Sequence, residues 1–476
     1  MADSDEIRPG VHDSLQQVTE LLHRHRQNLL QEHEPPRPRE VKELLHKQDL
    51  TSLQTKLDEL HPADVAYILE TLPLEERLVV WDMVKAERDG DILLEVSDAV
   101  RETLIAHMEN RELVAATEQL DTDEIADLAP DLPREVMQDV FRSLSVEERE
   151  QLRAAMSYPE DAVGALMDFD MITVRDDITV EVVSRYLRRL DEMPDHTDQL
   201  FVVDRAEHLR GLLPVNRLLV TDLDVPVSRI MVAESIKLQP DEKAQDAALA
   251  FERYDLVSAP VVDSDGKLIG RVTVNAVMDF IREESDSEKL SAGGLREEED
   301  LFASVWNSVK NRWTWLAINL VTAFIASRVI GVFEGSIEKI VALAALMPII
   351  AGIGGNSGNQ TITMIVRALA LGQITVGNAR KLFAKEIGVS FINGLIWGGV
   401  VGVFAFLIYH SIPLGLVMTS AMVLNLLLAA VMGVTVPLLM QKLGRDPAVG
   451  SSVMITAITD SGGFFIFLGL ATVFLV

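Results

Sequence analysis

The sequence predicts a multidomain chain: an α-helical, superhelical N-domain, a tandem pair of α/β domains, an acidic connecting helix and a transmembrane domain of five α-helices. Three observations point to it. Charge is split along the chain, with 33 Lys+Arg against 68 Asp+Glu up to Asp300 and 10 against 5 from Leu301 onward, for a net charge of −30 over 476 residues. Five apolar stretches long enough to span a bilayer, which takes roughly 20 residues each, crowd into the C-terminal portion. Within the acidic N-terminal portion a segment repeats itself, switching between the strand period of about 2 and the helix period of about 3.6. A single globular domain is excluded. The acidic front repels phosphates, so nucleic acid is not an expected partner. The absence of cysteine excludes disulfides, thiolate metal sites and cysteine nucleophiles. The opening Met1-Ala-Asp-Ser-Asp-Glu-Ile-Arg8 lacks an apolar core, so no secretory signal peptide is expected.

Residues 1–39 contain Pro35-Pro36-Arg37-Pro38 and read as a mobile tail with one short helix. Residues 40–157 carry apolar residues at helical spacing, with Asp, Ser or Pro at the starts, and form the acidic N-domain. A repeat of period 60 runs through it: Leu57-Asp-Glu-Leu60 matches Thr117-Glu-Gln-Leu120, and Leu72-Pro73 matches Leu132-Pro133. Residues 158–225 and 226–278 are two copies of an α/β unit. Leu166-Met167 aligns with Ile230-Met231 at an offset of 64, and Val202-Val203-Asp204 with Val261-Val262-Asp263 at 59. Gly211-Leu-Leu-Pro-Val-Asn216 aligns with Gly270-Arg-Val-Thr-Val-Asn275, so the first copy has about five extra residues near Met193–Thr197. Each copy reads as short strand, helix, apolar strand ending at Asp, turn, strand and helix. Residues 279–311 form the acidic connecting helix and linker.

In residues 312–476 the five stretches are Trp313–Phe333, Ile340–Val366, Ile387–Tyr409, Ile412–Met440 and Val453–Val476. The loops after the second and fourth hold Arg367, Arg380, Lys381, Lys385, Lys442 and Arg445, whereas the other loops hold only Lys339. Basic loops stay cytoplasmic, so the N-terminus is expected inside the cell and the C-terminus outside, in a multi-pass protein of the cell (inner) membrane surrounded by lipid. Only Arg328 and Asp460 are charged within the stretches. An ionised carboxylate inside a span costs at least about 2.5–3.5 kcal/mol, so it faces a bundle interior or a wet cavity; an ion pair with Arg328 is the competing reading. Gly354-Gly-Asn-Ser-Gly-Asn-Gln360 interrupts the second stretch. Three glycines are expected to break the helix there, exposing carbonyls beside Asn356, Asn359 and Gln360, which is tolerated at membrane depth only around a cavity or under protein; a tight packing kink is the alternative. One carboxylate with neutral oxygens suits a hard, hydrated cation such as Mg²⁺.

The soluble acids are mostly a solvated face. A subset is set apart: Asp123 and Asp127 share a face at i, i+4 beside Glu124, Asp255 ends a helix of the second copy, and Asp279, Glu283, Glu284, Asp286 and Glu288 crowd the connecting helix ahead of Glu297-Glu-Glu-Asp300. Such faces repel, and a divalent cation between them removes the repulsion. Its occupancy would report cytosolic Mg²⁺.

The tandem copies resemble cystathionine-β-synthase-type (CBS) domains over about residues 160–285. That family's adenosyl pattern, Gly-h-h-Thr/Ser-x-x-Asp, is incomplete: the second copy has Thr273 but Ala276, the first Pro214 and Arg217. No nucleotide-binding residue is assigned, and adenine nucleotide binding is doubtful. The order of domains, with Pro348, Gly354–Gln360, Arg367-Ala-Leu-Ala, Asp446-Pro-Ala and Ile458-Thr-Asp460-Ser-Gly, resembles the MgtE family of Mg²⁺ channels over roughly residues 40–476. The resemblance implies a homodimer with its pore on the two-fold axis, lined by the second and fifth spans. It places Asp460 at the hydrated ion, with Ala457 and the run Gly355, Asn356, Gly358 and Asn359 beside it. It implies regulatory Mg²⁺ at Asp123, Asp127, Asp255, Asp279 and Glu284, with Glu283, Asp286 and Glu288 on the same helix. Two departures are Gln245 and Ala276, where members carry acids; Asp246 is a substitute for the first. The function implied is Mg²⁺ uptake gated by cytosolic Mg²⁺. The alternatives are an ion-coupled divalent-cation carrier and a membrane-anchored CBS sensor without transport. No acid–base or nucleophile grouping is visible, so no enzyme is expected.

Overall fold

The computed structural model describes the chain except residues 1–10, 31–49, 191, 296–299, 371–372, 375, 445–446 and 448–449. Pro35–Pro38, Glu297–Glu299, Arg445 and Asp446 thus lie outside the described residues. The chain divides into two compact units, residues 1–284 with 300–303, and residues 285–299 with 304–476.

The first unit opens with α1 (Val11–Leu30). Its 20 residues make it longer than the expected short helix. Val18 and Leu22, one turn apart, are buried in the helical core, with Leu15 and Leu21 packed against it. Apolar groups at that spacing face one side of a helix and are driven into the core. A helix over residues 50–59 (α2) follows, then α3 (Pro62–Thr71), α4 (Leu74–Trp81), α5 (Asp89–Glu95), α6 (Asp98–His107), α7 (Asn110–Thr117), α8 (Thr122–Leu128), α9 (Arg134–Ser143) and α10 (Val146–Ala155). The repeat of period 60 has a structural meaning. His61 caps α3 and Asp121 caps α8, and Pro73 and Pro133 precede α4 and α9. Leu60 and Leu120, like Leu72 and Leu132, are buried in equivalent places.

The α/β pair follows: β1 (Thr173–Arg175), α11 (Val180–Leu187), β2 (Gln199–Val203), β3 (Leu209–Pro214), α12 (Val215–Val220), α13 (Val227–Ile230), α14 (Ala244–Tyr254), β4 (Ser258–Val262) and β5 (Leu268–Thr273). In the first copy β1 runs parallel to β2, and β2 antiparallel to β3; in the second, β4 pairs antiparallel with β5. The register carries the repeat: Val202 faces Gly211 and Val261 faces Gly270, with an irregularity after both valines. The first strand of the second copy is reduced to one parallel bridge, Leu238 to Val261. The copies also cross. Asp168, just before β1, bridges Arg271 on β5, and its counterpart Val232 bridges Leu212 on β3. Gly270 leaves room for Met167, and a Cβ on Gly211 would lie 2.6 Å from the Val232 carbonyl.

After β5 comes α15 (Val274–Gly293), which begins within the segment read as the second copy. The second unit continues with α16 (Val305–Val332), the short α17 (Glu334–Lys339), α18 (Ala342–Ala370), α19 (Val376–Tyr409), α20 (Ile412–Lys442) and α21 (Ser451–Phe474). Four of these, α16, α19 from Asn378, α20 and α21, are long and apolar enough to cross a membrane. Among the described residues α18 falls outside that set; it has 29 residues, and its Gly/Asn run dilutes its hydropathy. That run does not break the helix, contrary to expectation: α18 is continuous through it, with Pro348 inside. The glycines serve helix packing instead. Gly358 backs onto Ile455 of α21, its Cβ position 2.5 Å from that side chain, and Gly354 onto Asn425 of α20.

Asp300 is fixed within the first unit. Arg77 of α4, fully buried, donates to both Asp300 oxygens at 2.6 and 3.0 Å and to the carbonyls of Leu69 and Leu72. Burial works to raise the Asp300 carboxyl, but the bonds from Arg77 prevail and hold it below the ordinary range. Removing one partner of such a pair strands a buried charge, so Arg77→Gln is expected to cost about 3–5 kcal/mol. The check is the melting temperature of the first unit's unfolding transition at pH 7.

Candidate cation sites

In the membrane unit, Asp460 lies on α21 at half-burial, flanked by buried Thr459 and Gly463. Among the described residues no cation pairs with it, so the Arg328 ion-pair reading has no support there; Arg328 is exposed on α16. Ala457 sits one turn earlier on α21, also half-buried. On α18 the residues Asn356, Asn359, Gln360, Thr363, Met364 and Arg367 line an open cavity of about 660 Å³. Their spacing is that of one helix face. The Asn359 side-chain oxygen Oδ1 is buried without a partner among the described residues. Gly355 and Gly358 are both buried, and Gly355 faces α21, its Cβ position 3.8 Å from the Thr459 hydroxyl. The Asn/Gly run thus divides: amides toward the cavity, glycines toward the neighbouring helices.

One membrane carboxylate escaped the sequence reading. Glu386 precedes the stretch taken as the third span, but α19 begins ten residues earlier and carries Glu386 into the bundle, where it is 5% exposed. Thr361 of α18 donates to it over 3.5 Å, and Lys385 lies 3.7 Å away. Arg328 and Asp460 are therefore not the only charged residues within the spans: Glu386 joins them. The missed signal was helical continuity: Arg380, Lys381 and Lys385 looked like a loop, yet bases in the first turns of a long span end up at the interface while the next carboxylate turns inward.

In the soluble unit, α8 carries two acidic faces. Asp123, half-buried, has its carboxyl pushed up to about 8, first by desolvation and then by Asp168. Its neighbour Asp121 is raised by burial, then by Asp170, Asp168 and Asp195. One turn on, Asp127 is pushed up to about 7 by desolvation and then by Glu283, with Asp279 adding to it. Glu283 is itself raised by burial and by Asp98. Asp123 and Asp127 thus share Glu124 but otherwise feel different acids, Asp168 and Asp121 for the first, Glu283 and Asp279 for the second. Asp168 is held by Arg271 at 2.7 Å, and Arg271 also donates to the Asp195 carbonyl. Asp121, Asp168, Asp170 and Asp98 were not singled out from sequence; only the repeat places the segment around Asp168 against β5. Asp255 caps α14 in the left-handed region at φ 51° and is exposed. Glu284 and Glu288 are exposed on α15, and Asp286 there pairs with Lys289 at 2.7 Å. Thr273 is buried, and its hydroxyl accepts from the Ala276 N–H, so the threonine of the incomplete adenosyl pattern closes a turn. Among the described residues no three His, Asp or Glu side chains converge on one point. Open pairs of carboxylates fit an ion that keeps most of its waters, as Mg²⁺ does.

Family models match along most of this architecture: MgtE intracellular N domain over residues 60–161, CBS domain over 227–283 and MgtE, divalent cation transporter, over 347–470. A magnesium transporter MgtE of Thermus thermophilus is 30% identical over 441 residues, covering 91% of this chain and 98% of the relative. The chain belongs to the MgtE family. Another member, the magnesium transporter MgtE of Bacillus subtilis, is 25% identical, covering 91% of this chain and 96% of the relative. A crystal structure of the cytosolic domain of the Mg²⁺ channel MgtE in complex with ATP shares 29% identity, covers 50% of this chain and 98% of that one, and superposes with a TM-score of 0.46. Membership and the apolar helices make this a multi-pass membrane protein of a divalent-cation transporter family.

Asp89 gives a test of the soluble unit's electrostatics away from the candidate ligands. It is 8% exposed, and burial, then Glu112, pushes its carboxyl up to about 7. A raised carboxyl favours the folded state most below the unfolded value of about 4, and that advantage drains as pH rises through about 7. Asp89→Asn is therefore expected to match the parent near pH 4 and to exceed it by about 2 kcal/mol above pH 7. Urea unfolding in EDTA across that range measures the difference.

Proposed function

We propose that this chain is a Mg²⁺-selective channel for Mg²⁺ uptake, closed by cytosolic Mg²⁺ bound at its acidic soluble faces. The observation that carries the reading is Asp460: a half-buried carboxylate inside a span, without a cation partner among the described residues, one turn after Ala457. A fixed negative charge at that depth attracts a cation, and hydration water need not be stripped where the surrounding side chains are small. The cavity-lining face of α18 comes from one helix alone, which fits a homodimer in which the second copy faces it and two Asp460 carboxylates share one ion. The distribution of basic residues supports a cytoplasmic N-terminus and an external C-terminus.

Gating follows from repulsion. Asp123 with Asp168, and Asp127 with Glu283 and Asp279, are the pairs suited to hold regulatory Mg²⁺; Asp255, Glu284, Asp286 and Glu288 extend the acidic surface. Without cations like charges hold these faces apart, and a hydrated divalent ion bridges them. A second reading, a carrier coupled to another cation, is favoured by one observation, the buried Glu386. A channel passes Mg²⁺ in proteoliposomes without an imposed Na⁺ or H⁺ gradient; a carrier does not.

Asp460→Asn is expected to reduce dye-reported Mg²⁺ influx into such liposomes to background while the purified protein keeps its elution volume; normal influx sinks the pore assignment. In the full chain, millimolar Mg²⁺ is expected to slow proteolysis of residues 1–300, and Asp123→Asn with Asp127→Asn to shift that protection to higher Mg²⁺. Protection indifferent to Mg²⁺ removes the gating reading.

A further inference from the structure

Asn425 sits in the middle of α20, in a span that reads as plainly apolar. It is fully buried. Its amide nitrogen donates to the Ile350 carbonyl of α18 at 3.0 Å. On one side it meets Gly354 of α18, where any Cβ would run into its amide nitrogen; on the other it meets Gly463 of α21, where a Cβ would lie 2.7 Å from the same atom. Its side-chain oxygen Oδ1 is buried with no partner among the described residues. One side chain thus fills the gap left by two glycines on two helices, each within a turn of a candidate ion group: Gly354 lies two residues before Asn356, and Gly463 three after Asp460.

A leucine of similar size would fill the same gap without an unpaired oxygen. Keeping an amide there costs stability, and what it adds is a cross-helix hydrogen bond, the kind of link that fixes helix positions where lipid gives no hydrophobic drive to pack. We propose that Asn425 is a positioning residue for the transported ion: by pinning α18 at Ile350 and spacing it from α21 at Gly463, it sets the position of the helix that carries the amides relative to the helix that carries Asp460. The inference rests on the pore reading of Asp460. Asn425 need not touch the ion. Gly354 and Gly463 are then required by the amide between them, and a methyl group on Gly354 displaces the helix that Asn425 positions.

The test uses the full chain in proteoliposomes with a Mg²⁺-reporting dye, over a range of Mg²⁺ and with Mn²⁺ as competitor. Asn425→Leu is expected to raise the half-saturating Mg²⁺ about tenfold and to change the Mg²⁺-to-Mn²⁺ preference, because a site held about 1 Å too loosely loses recognition before it loses throughput. Gly354→Ala is expected to move both readouts likewise, and Asn425→Ala in the Gly354→Ala background to recover some of the loss by making room for the methyl group. If Asn425→Leu does not fold, the two Gly354→Ala chains decide alone. Unchanged half-saturation and preference overturn the inference, and so does a fall in maximal flux alone, the mark of a purely structural role. Asp460→Asn run in parallel separates the two levels. Intact flux there overturns the pore reading itself, whereas lost flux beside an indifferent Gly354→Ala overturns only the role of Asn425.

Discussion

Inside a bilayer no water is available to a stranded polar atom, and that scarcity organises the membrane unit. A buried polar side chain bonds a carbonyl of its own helix, as Thr459 does to Ile455, or reaches another helix, and in the second case it ties the two helices together. Asn425 reaches the backbone of α18, Glu386 of α19 is met by Thr361 of α18, and Ser336 of α17 bonds Thr472 of α21 at 2.7 Å. These links are possible because glycines bring the backbones close. Asp460 departs from the pattern, having no cation beside it among the described residues. A carboxylate left in that condition is where a mobile cation has something to gain.

The soluble unit obeys the opposite constraint. Water is plentiful, and the difficulty is charge held too close. The seven residues of α8 present Asp123 toward Asp168 and Asp127 toward Glu283. One short helix is therefore shared by two acidic faces, one toward the entry of the α/β pair and one toward α15. Carboxyls pushed to about 7 and 8 are groups for which protons and metal cations compete near neutrality. Arg271 supplies a fixed positive charge to one face, bound to Asp168, while Arg101 and Arg282 temper the acids of the α15 face.

The division into helical, α/β and membrane regions was legible because each rests on a periodicity, and the duplicated α/β unit survived in detail, down to valine facing glycine in both hairpins. Four features were not legible. The run Gly354–Gln360 suggested a broken helix because glycine's intrinsic penalty is visible in a sequence, whereas the packing that overrides it, against Asn425 and Ile455, lies on other helices. Glu386 was hidden by a hydropathy boundary that cut α19 short. The acids around Asp168 became visible only once the two copies crossed, since no local pattern brings residue 168 to residue 271. Asp123 and Asp127 were legible as a pair sharing one helix face, but not that they look toward different partners.

The two crossings between the α/β copies are related by the repeat, yet they differ in chemistry. Val232 against Leu212 is apolar, and Asp168 against Arg271 is a buried ion pair. A duplicated module would begin with two alike crossings. Here one is indifferent to ions and the other responds to the field around it. Charge therefore sits at a single end of a pseudo-symmetric body, Asp168 with Arg271, while the equivalent end is apolar. An internal duplication has in this way acquired a direction.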